Sequence, residues 1–387
     1  MKKFLYIFLG LVLVYFLITL IVPPIIEKDS NPVKNTPPHK VSSAAMELFE
    51  QLDFVADLHC DALLWGRDLT KKSDRGHVDF PRMQEGNVAL QVFTVVSKSP
   101  KGQNMDFNKT DAPDNITLLN IIQGRPLSNW FSLINRTIYQ SEKLWYFGDR
   151  FENRFVPILS VQDLDELIRL RKTDKTVIGG LLGIEGAHAL EGKIENLDKV
   201  YDAGVRLIGL THFFDNELGG SAHGESGEGL SDFGKEVIKA MNEKKMVIDL
   251  AHASPKMIED VLEISEQPVM VSHTGIRAIL NSPRNLSDIQ IKKIAAKGGI
   301  IGIAFFDMVV GENEIKGIVA SMKRVKNLVG SQHIALGSDF DGSVAVPFDI
   351  TGLPLIVEAL LQEGFSEGEI RGIMGENVRD FLKKILA

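Results

Sequence analysis

Two side chains in the stretch Asp57-Leu58-His59-Cys60-Asp61 could grip one cation between them. The stretch follows the apolar run Phe54-Val55-Ala56 and reads as the exit of a short buried strand. Residues two apart on a strand share a face, so His59 and Asp61 point one way and Cys60 the other. In a chain with nine histidines a lone His-x-Asp is weak evidence. Its weight comes from how the other apolar runs end: in Glu185, His212, His252, His273 and Asp339. Each of these side chains can bind metal, carry a proton or donate to an oxyanion. Singly, each has an ordinary explanation. A histidine ending a strand is more often a hydrogen-bonded structural residue, and a carboxylate beside a glycine can cap the next helix. Taken together, these imidazoles and carboxylates on one rim supply enough nitrogen and oxygen donors for two divalent ions sharing a carboxylate. His77, His188, His223 and His333 have no such placement and are read as structural or surface residues. Cys60 is read as a small core residue.

The elements that must position these groups are legible as alternating patterns. Runs rich in Val, Ile and Leu fall at 54–59, 88–94, 177–184, 207–211, 246–250, 269–273, 300–305 and 334–338, as expected of parallel strands buried on both faces. Helix signals lie between them, among them Ser254-Pro255 before an apolar stripe and the capping box Ser366 with Glu369. Eight strand–helix units predict an α/β fold of the (β/α)8 TIM-barrel type, with a doubly wound open sheet as the rival. In a barrel of this kind chemistry sits where the strands end, which is where the candidate residues fall. An insertion with helical pattern, from about Ser97 to Thr176, separates the second and third strands. Its aromatics (Trp130, Phe131, Tyr139, Trp145, Tyr146, Phe147) are expected to pack an extra helical layer; a homodimer interface or a wall of the site are the alternatives.

Ahead of the barrel, Lys2 and Lys3 precede an apolar run from Phe4 to Val22 interrupted only by Gly10 and Thr19. At about 1.5 Å per residue the run reaches ~28 Å, enough to cross a bilayer core. It lacks a small-x-small cleavage site, so residues 1–26 are read as an uncleaved transmembrane anchor in preference to a signal peptide. The positive N-terminus predicts that the rest of the chain is exported, to a periplasmic or extracellular side. Residues 27–43, rich in Pro, Asn, Lys and Ser, are expected to form a flexible linker, and the catalytic domain to occupy 44–387. A formal net charge of −8 argues against a nucleic-acid partner, and a single cysteine excludes a disulfide within the chain.

With these residues in place the sequence resembles the membrane dipeptidase (renal dipeptidase) family of metal-dependent amidohydrolases. The resemblance rests on Asp57–Asp61, Gly183–His188, Leu210–His212, Ile248–His252, Val271–His273, Arg284-Asn285-Leu286, Gly337–Gly342 and Gly375-Glu376-Asn377, in family order over about residues 50 to 385. It implies two Zn2+ per chain, one held by His59 and Asp61, the other by His252 and His273, with Glu185 bridging. It further implies a metal-bridging hydroxide as nucleophile, Asp339 as proton carrier, His212 as donor to the oxyanion and Arg284 as clamp on the carboxylate of a dipeptide substrate. Dipeptides with a C-terminal D-residue fall within the family's range. Other binuclear amidohydrolases (lactonases, deaminases, deacylases) usually open with His-x-His, whereas here Asp61 takes the second place. A non-catalytic binding protein on the same fold is the remaining alternative.

Overall fold

In a computed structural model, which describes residues 1–312 and 314–386, eight parallel strands close into a barrel. The strands are β1 (Val55–Cys60), β2 (Val88–Val96), β3 (Phe155–Pro157), β4 (Ile178–Glu185), β5 (Val205–Gly209), β6 (Val247–Asp249), β7 (Met270–Thr274), β8 (Ile300–Ile303) and β9 (Ile334–Leu336). The ring runs β1, β2, β4, β5, β6, β7, β8, β9 and closes where Asp57 pairs with Leu336. The longest register joins β2 to β4, from Leu90 opposite Gly179 to Val96 opposite Glu185. Nearly every strand residue is buried, which is why the strands read as unbroken aliphatic runs.

β3 is outside the ring and outside the sequence expectation. It pairs with the start of β4, and three residues ending in proline give no periodicity to detect. The insertion opens with a loop over 97–114 and then holds the helices Asn115–Ile122, Ser128–Phe131, Leu133–Asp149 and Val161–Arg171, the last capped by Ser160. Its aromatics divide. Phe147 is buried and the Trp145 indole donates to Ala203 O at 2.8 Å, whereas Phe131 and Tyr146 are exposed.

Glycine has a specific use at the join of β7, β8 and β9. A Cβ on Gly302 or on Gly337 would collide with the carbonyl oxygen of Ser272, so only glycine lets these strands approach the residue preceding His273.

The N-terminal apolar run lies in one helix, Lys2–Ser30, whose side chains from Phe4 to Ile21 are largely exposed and whose mean hydropathy over its best window is 2.8. The helix is long and apolar enough to cross a membrane. The expectation of a free linker over 27–43 does not hold. Glu27 is buried and paired with Arg67 and with Arg75, the latter at 2.9 Å. Asn31 is buried and accepts from Ser343 N at 3.0 Å, Lys34 N donates to Val346 O at 3.0 Å, and Lys34 pairs with Glu314. The segment is polar because it meets charged partners on the barrel, and composition alone does not reveal such partners. In the helix Ser43–Glu50 that follows, Ala45, Leu48 and Phe49 face the core, while Met46 is exposed.

Candidate active site

All of the strand-end residues are brought to the C-terminal rim, and they converge on the carboxylate of Glu185, the last residue of β4. His252 Nε2 lies 3.1 Å from Glu185 Oε1, His273 Nε2 3.3 Å and His59 Nε2 3.4 Å; His212 Nε2 lies 3.2 Å from Oε2. Asp61 Oδ1 and Asp339 Oδ1 stand 3.6 and 3.8 Å from His59 Nε2. His252 and His273 face each other, Nε2 to Nε2, at 3.0 Å. With the proton of each ring on Nδ1, both Nε2 lone pairs face one point, where a single cation can take both. All these side chains are buried, so the donors have given up water for one another.

Protonation divides the cluster into two halves. Burial disfavours the imidazolium of His59, but the carboxylates of Glu185, Asp61 and Asp339 outweigh it and lift its pKa to about 10. Burial, with Asp61 adding to it, pushes Glu185 well above the usual carboxylate range. Asp339 is raised to about 8, chiefly by burial and against the attraction of His59. On the other side, burial depresses His212 to about 4 and holds His252 and His273 well below the ordinary histidine value, with Arg284 and the neighbouring histidines adding to it. Neutral imidazole is the form that binds metal, and an excess of carboxylate over cationic charge is what a divalent ion neutralises. The donor set therefore fits two such ions, with His59, Asp61 and Glu185 mutually close on one side and Glu185, His252 and His273 on the other.

The surrounding residues hold the donors in place. Thr94, the end of the second predicted strand, donates to Asp61 Oδ1 at 2.6 Å and lies 3.3 Å from His59 Nε2. Ser272 Oγ donates to Asp249 Oδ2 at 2.6 Å and stands 2.9 Å from His273 Nδ1 and 3.4 Å from His59 Nδ1, so one hydroxyl fixes the far nitrogen of a ligand on each side. Asp57 accepts from Ser338 N, Ser338 Oγ and Gln91 Nε2 at 2.7–2.8 Å, tying β9 to β1 just before Asp339. Sequence reasoning passed over Thr94, Ser272 and Asp249 because it asked for ligands; asking also what could orient a ligand would have found them. His252 and Asp339 both adopt positive φ, 61° and 63°, a conformation few side-chain-bearing residues take outside constrained sites.

Asp341 accepts from His77 N at 2.7 Å and pairs with Arg67, a position that braces the loop and does not reach the cluster. His77, His188 and His223 are buried away from the donor set, although the His223 ring lies 5.2 Å from that of His252. Cys60 is buried in the core as expected.

Above the donors opens a cavity of about 630 Å³ including its mouth, lined by Asp61, Glu185, His212, His252, Arg284 and Asp339, with walls from the insertion (Ser99, Gln103, Met105, Ile116) and from Phe213. Arg284 is buried there, donates through Nη2 to His273 O, and has no partner for Nε among the described residues. A sequence model of the membrane dipeptidase family (peptidase family M19) matches residues 43–385. This chain belongs to that family. Membrane dipeptidases are metallopeptidases, and two fungal members are close enough in sequence to align along most of their length. Dipeptidase tcpJ of Claviceps purpurea is 30% identical over 322 residues, 80% of this chain and 69% of that protein. Dipeptidase aclJ of Aspergillus oryzae is 27% identical over 313 residues, 78% of this chain and 68% of that protein. Among solved structures, a metallopeptidase from Rhodobacter sphaeroides bound to a phosphinate mimic of the dipeptide L-Ala-D-Ala shares the fold at a TM-score of 0.68 and 23% identity, over 86% of this chain and 99% of that one. The probable dipeptidase PvdM from Pseudomonas aeruginosa does so at 0.75 and 18%, over 90% and 99%.

Proposed function

We propose that this membrane dipeptidase hydrolyses short peptides with two zinc ions at the Glu185 cluster, and that residues 1–26 anchor it to a membrane with the 44–387 domain on the exported side. The observation that carries the reading is the convergence of four imidazole Nε2 atoms within 3.4 Å of one carboxylate, with two further carboxylates beside them. His59 and Asp61 would hold one ion, His252 and His273 the other, and Glu185 both. Zinc bound there supplies Lewis acidity and a water acidic enough to lose its proton near neutral pH.

The chain's own residues do the rest. Asp339, poised by burial to exchange a proton near neutrality, takes the proton of the attacking water and delivers it to the leaving amine. Arg284, with its unpaired Nε facing a buried site, pairs with the free carboxylate of the substrate and so limits the enzyme to peptides whose C-terminus lies next to the scissile bond. His212 donates from Nε2 to the developing oxyanion. A second role for His212 has its own support. It needs the other tautomer and so excludes the first: with the proton on Nδ1, 3.3 Å from Lys98 O, Nε2 has no proton to donate and is a metal ligand instead, and Glu185, His212 and His252 form one tight donor group.

A panel of dipeptides, with L- and D-residues in the second position, tests the substrate reading on purified protein. Hydrolysis should require a free C-terminal carboxylate and include Xaa-D-Ala peptides. The ligand of the Rhodobacter relative supports that range. Equal rates on C-terminally amidated peptides would contradict the Arg284 clamp.

A further inference from the structure

We propose that the insertion helix Asn115–Ile122 and the turn that follows it dock into the same lipid bilayer as the N-terminal helix, so that the substrate cavity opens at the membrane surface; this rests on the reading of residues 4–22 as a membrane span. The stretch 115–134 is unlike the rest of the insertion in charge. Between Asn115 and Ile134 the only ionisable residue is Arg125. Its guanidinium is already occupied, donating to Gln123, to the Tyr139 hydroxyl and to Trp65 O. Of the helix itself only Ile116 and Asn120 are buried, while Leu118 is 60% exposed. Beyond it Leu127 and Phe131 are 66% and 86% exposed. Apolar side chains grouped in this way mark a contact surface, and without basic residues around them they suit a lipid interior better than an anionic headgroup layer.

What selects the bilayer as occupant is continuity with the span. Tyr15 Oη donates to Ile121 O at 2.8 Å, and Gly124 approaches Thr19 so closely that a Cβ on it would stand 3.3 Å from Thr19 Cγ2. Thr19 is fifteen residues beyond Phe4, about 22 Å along the helix, which is still inside a ~30 Å hydrocarbon core that begins at Phe4. The end of the insertion helix is therefore held at the depth of the outer leaflet by contacts to the span itself. Deeper in the domain, Ile26 packs onto the cluster of Leu64, Trp65, Val96 and Ile116, three of which line the substrate cavity. One face of the insertion helix thus walls the cavity through Ile116, and the other presents Leu118 to lipid.

The test places a bimane probe on single cysteines introduced into the full-length protein (Leu118→Cys, Leu127→Cys, Phe131→Cys), reconstituted in phosphatidylcholine vesicles with and without doxyl-labelled lipid. The native Cys60 is fully buried and stays unlabelled. Leu13→Cys reports the span, and Lys384→Cys, on the helix packed at the start of β1, reports the opposite end of the barrel. Dipeptide hydrolysis at the parental rate confirms that each labelled protein is folded. The expected result is strong lipid quenching at 118, 127 and 131, comparable to that at 13, and none at 384. Quenching at 13 without quenching at 118, 127 and 131 would overturn the docking while leaving the anchor intact. Absence of quenching at 13 as well would overturn the anchor reading and the docking with it.

Discussion

In the proposed mechanism Asp339 and His212, which line the cavity together with Glu185, divide the chemistry between proton transfer and charge stabilisation. Asp339 holds no metal in the proposed mechanism, so Asp339→Asn should keep full metal content and lose turnover by about 10²- to 10⁴-fold, the usual worth of a positioned acid–base. Metal analysis and single-turnover rates on the same sample check this. His212→Ala separates the two roles open to that residue. A fall in kcat of about 10²- to 10³-fold with both metals retained marks an oxyanion donor, and loss of one metal marks a ligand. The left-handed backbone at Asp339 follows directly on Ser338, which is clamped to Asp57 on the neighbouring strand.

At the scale of elements, two devices make the rim rigid. The first is the glycine pair Gly302 and Gly337, which brings β8 and β9 close to Ser272, so that its hydroxyl reaches both His273 and His59. The second is the chain of charges Glu27–Arg67–Asp341, in which the end of the N-terminal helix is locked to the loop after Asp339. Arg67 is wholly buried, and removing one of its partners leaves a charge with neither water nor sufficient counter-charge. Glu27→Ala should therefore cost about 3–5 kcal/mol in a denaturant titration, against less than about 0.5 kcal/mol for Lys28→Ala on the same helix end. The strand-end residues were legible in the sequence because parallel barrel strands are aliphatic until they stop, so a His, Asp or Glu at the stop stands out. The eight ring strands were legible for the same reason. Glu27, Thr94 and Ser272 were not, since a single charge in a polar stretch or a hydroxyl in a strand takes its meaning only from a partner distant in sequence.

For the whole molecule, acid should be more damaging than the metal site alone would explain. Burial holds His77 at about 4, and His188 and His223 at about 3, whereas unfolded histidine titrates near 6.5. Between those values the unfolded chain binds protons that the native chain excludes, so stability falls as the pH drops from about 6.5 towards 4. Above about pH 7 these groups contribute no slope. The three together set an upper limit of about 4 kcal/mol lost per pH unit inside that window. Urea midpoints of the metal-loaded protein at pH 7.5, 6 and 5 (roughly spanning the window) check the sign; a midpoint that rises on acidification would contradict it.

The proposed function turns on one carboxylate, Glu185, shared by two zinc ions. The most direct measurement is the metal content of purified wild-type protein and of Glu185→Ala, together with dipeptide hydrolysis before and after chelation. About two zinc ions per chain are expected in the wild type, with activity lost to chelator and restored by zinc, and Glu185→Ala should lose both ions because each loses a ligand. A Glu185→Ala protein that keeps both zinc ions, or a wild type fully active after its metal has been stripped, would contradict the account.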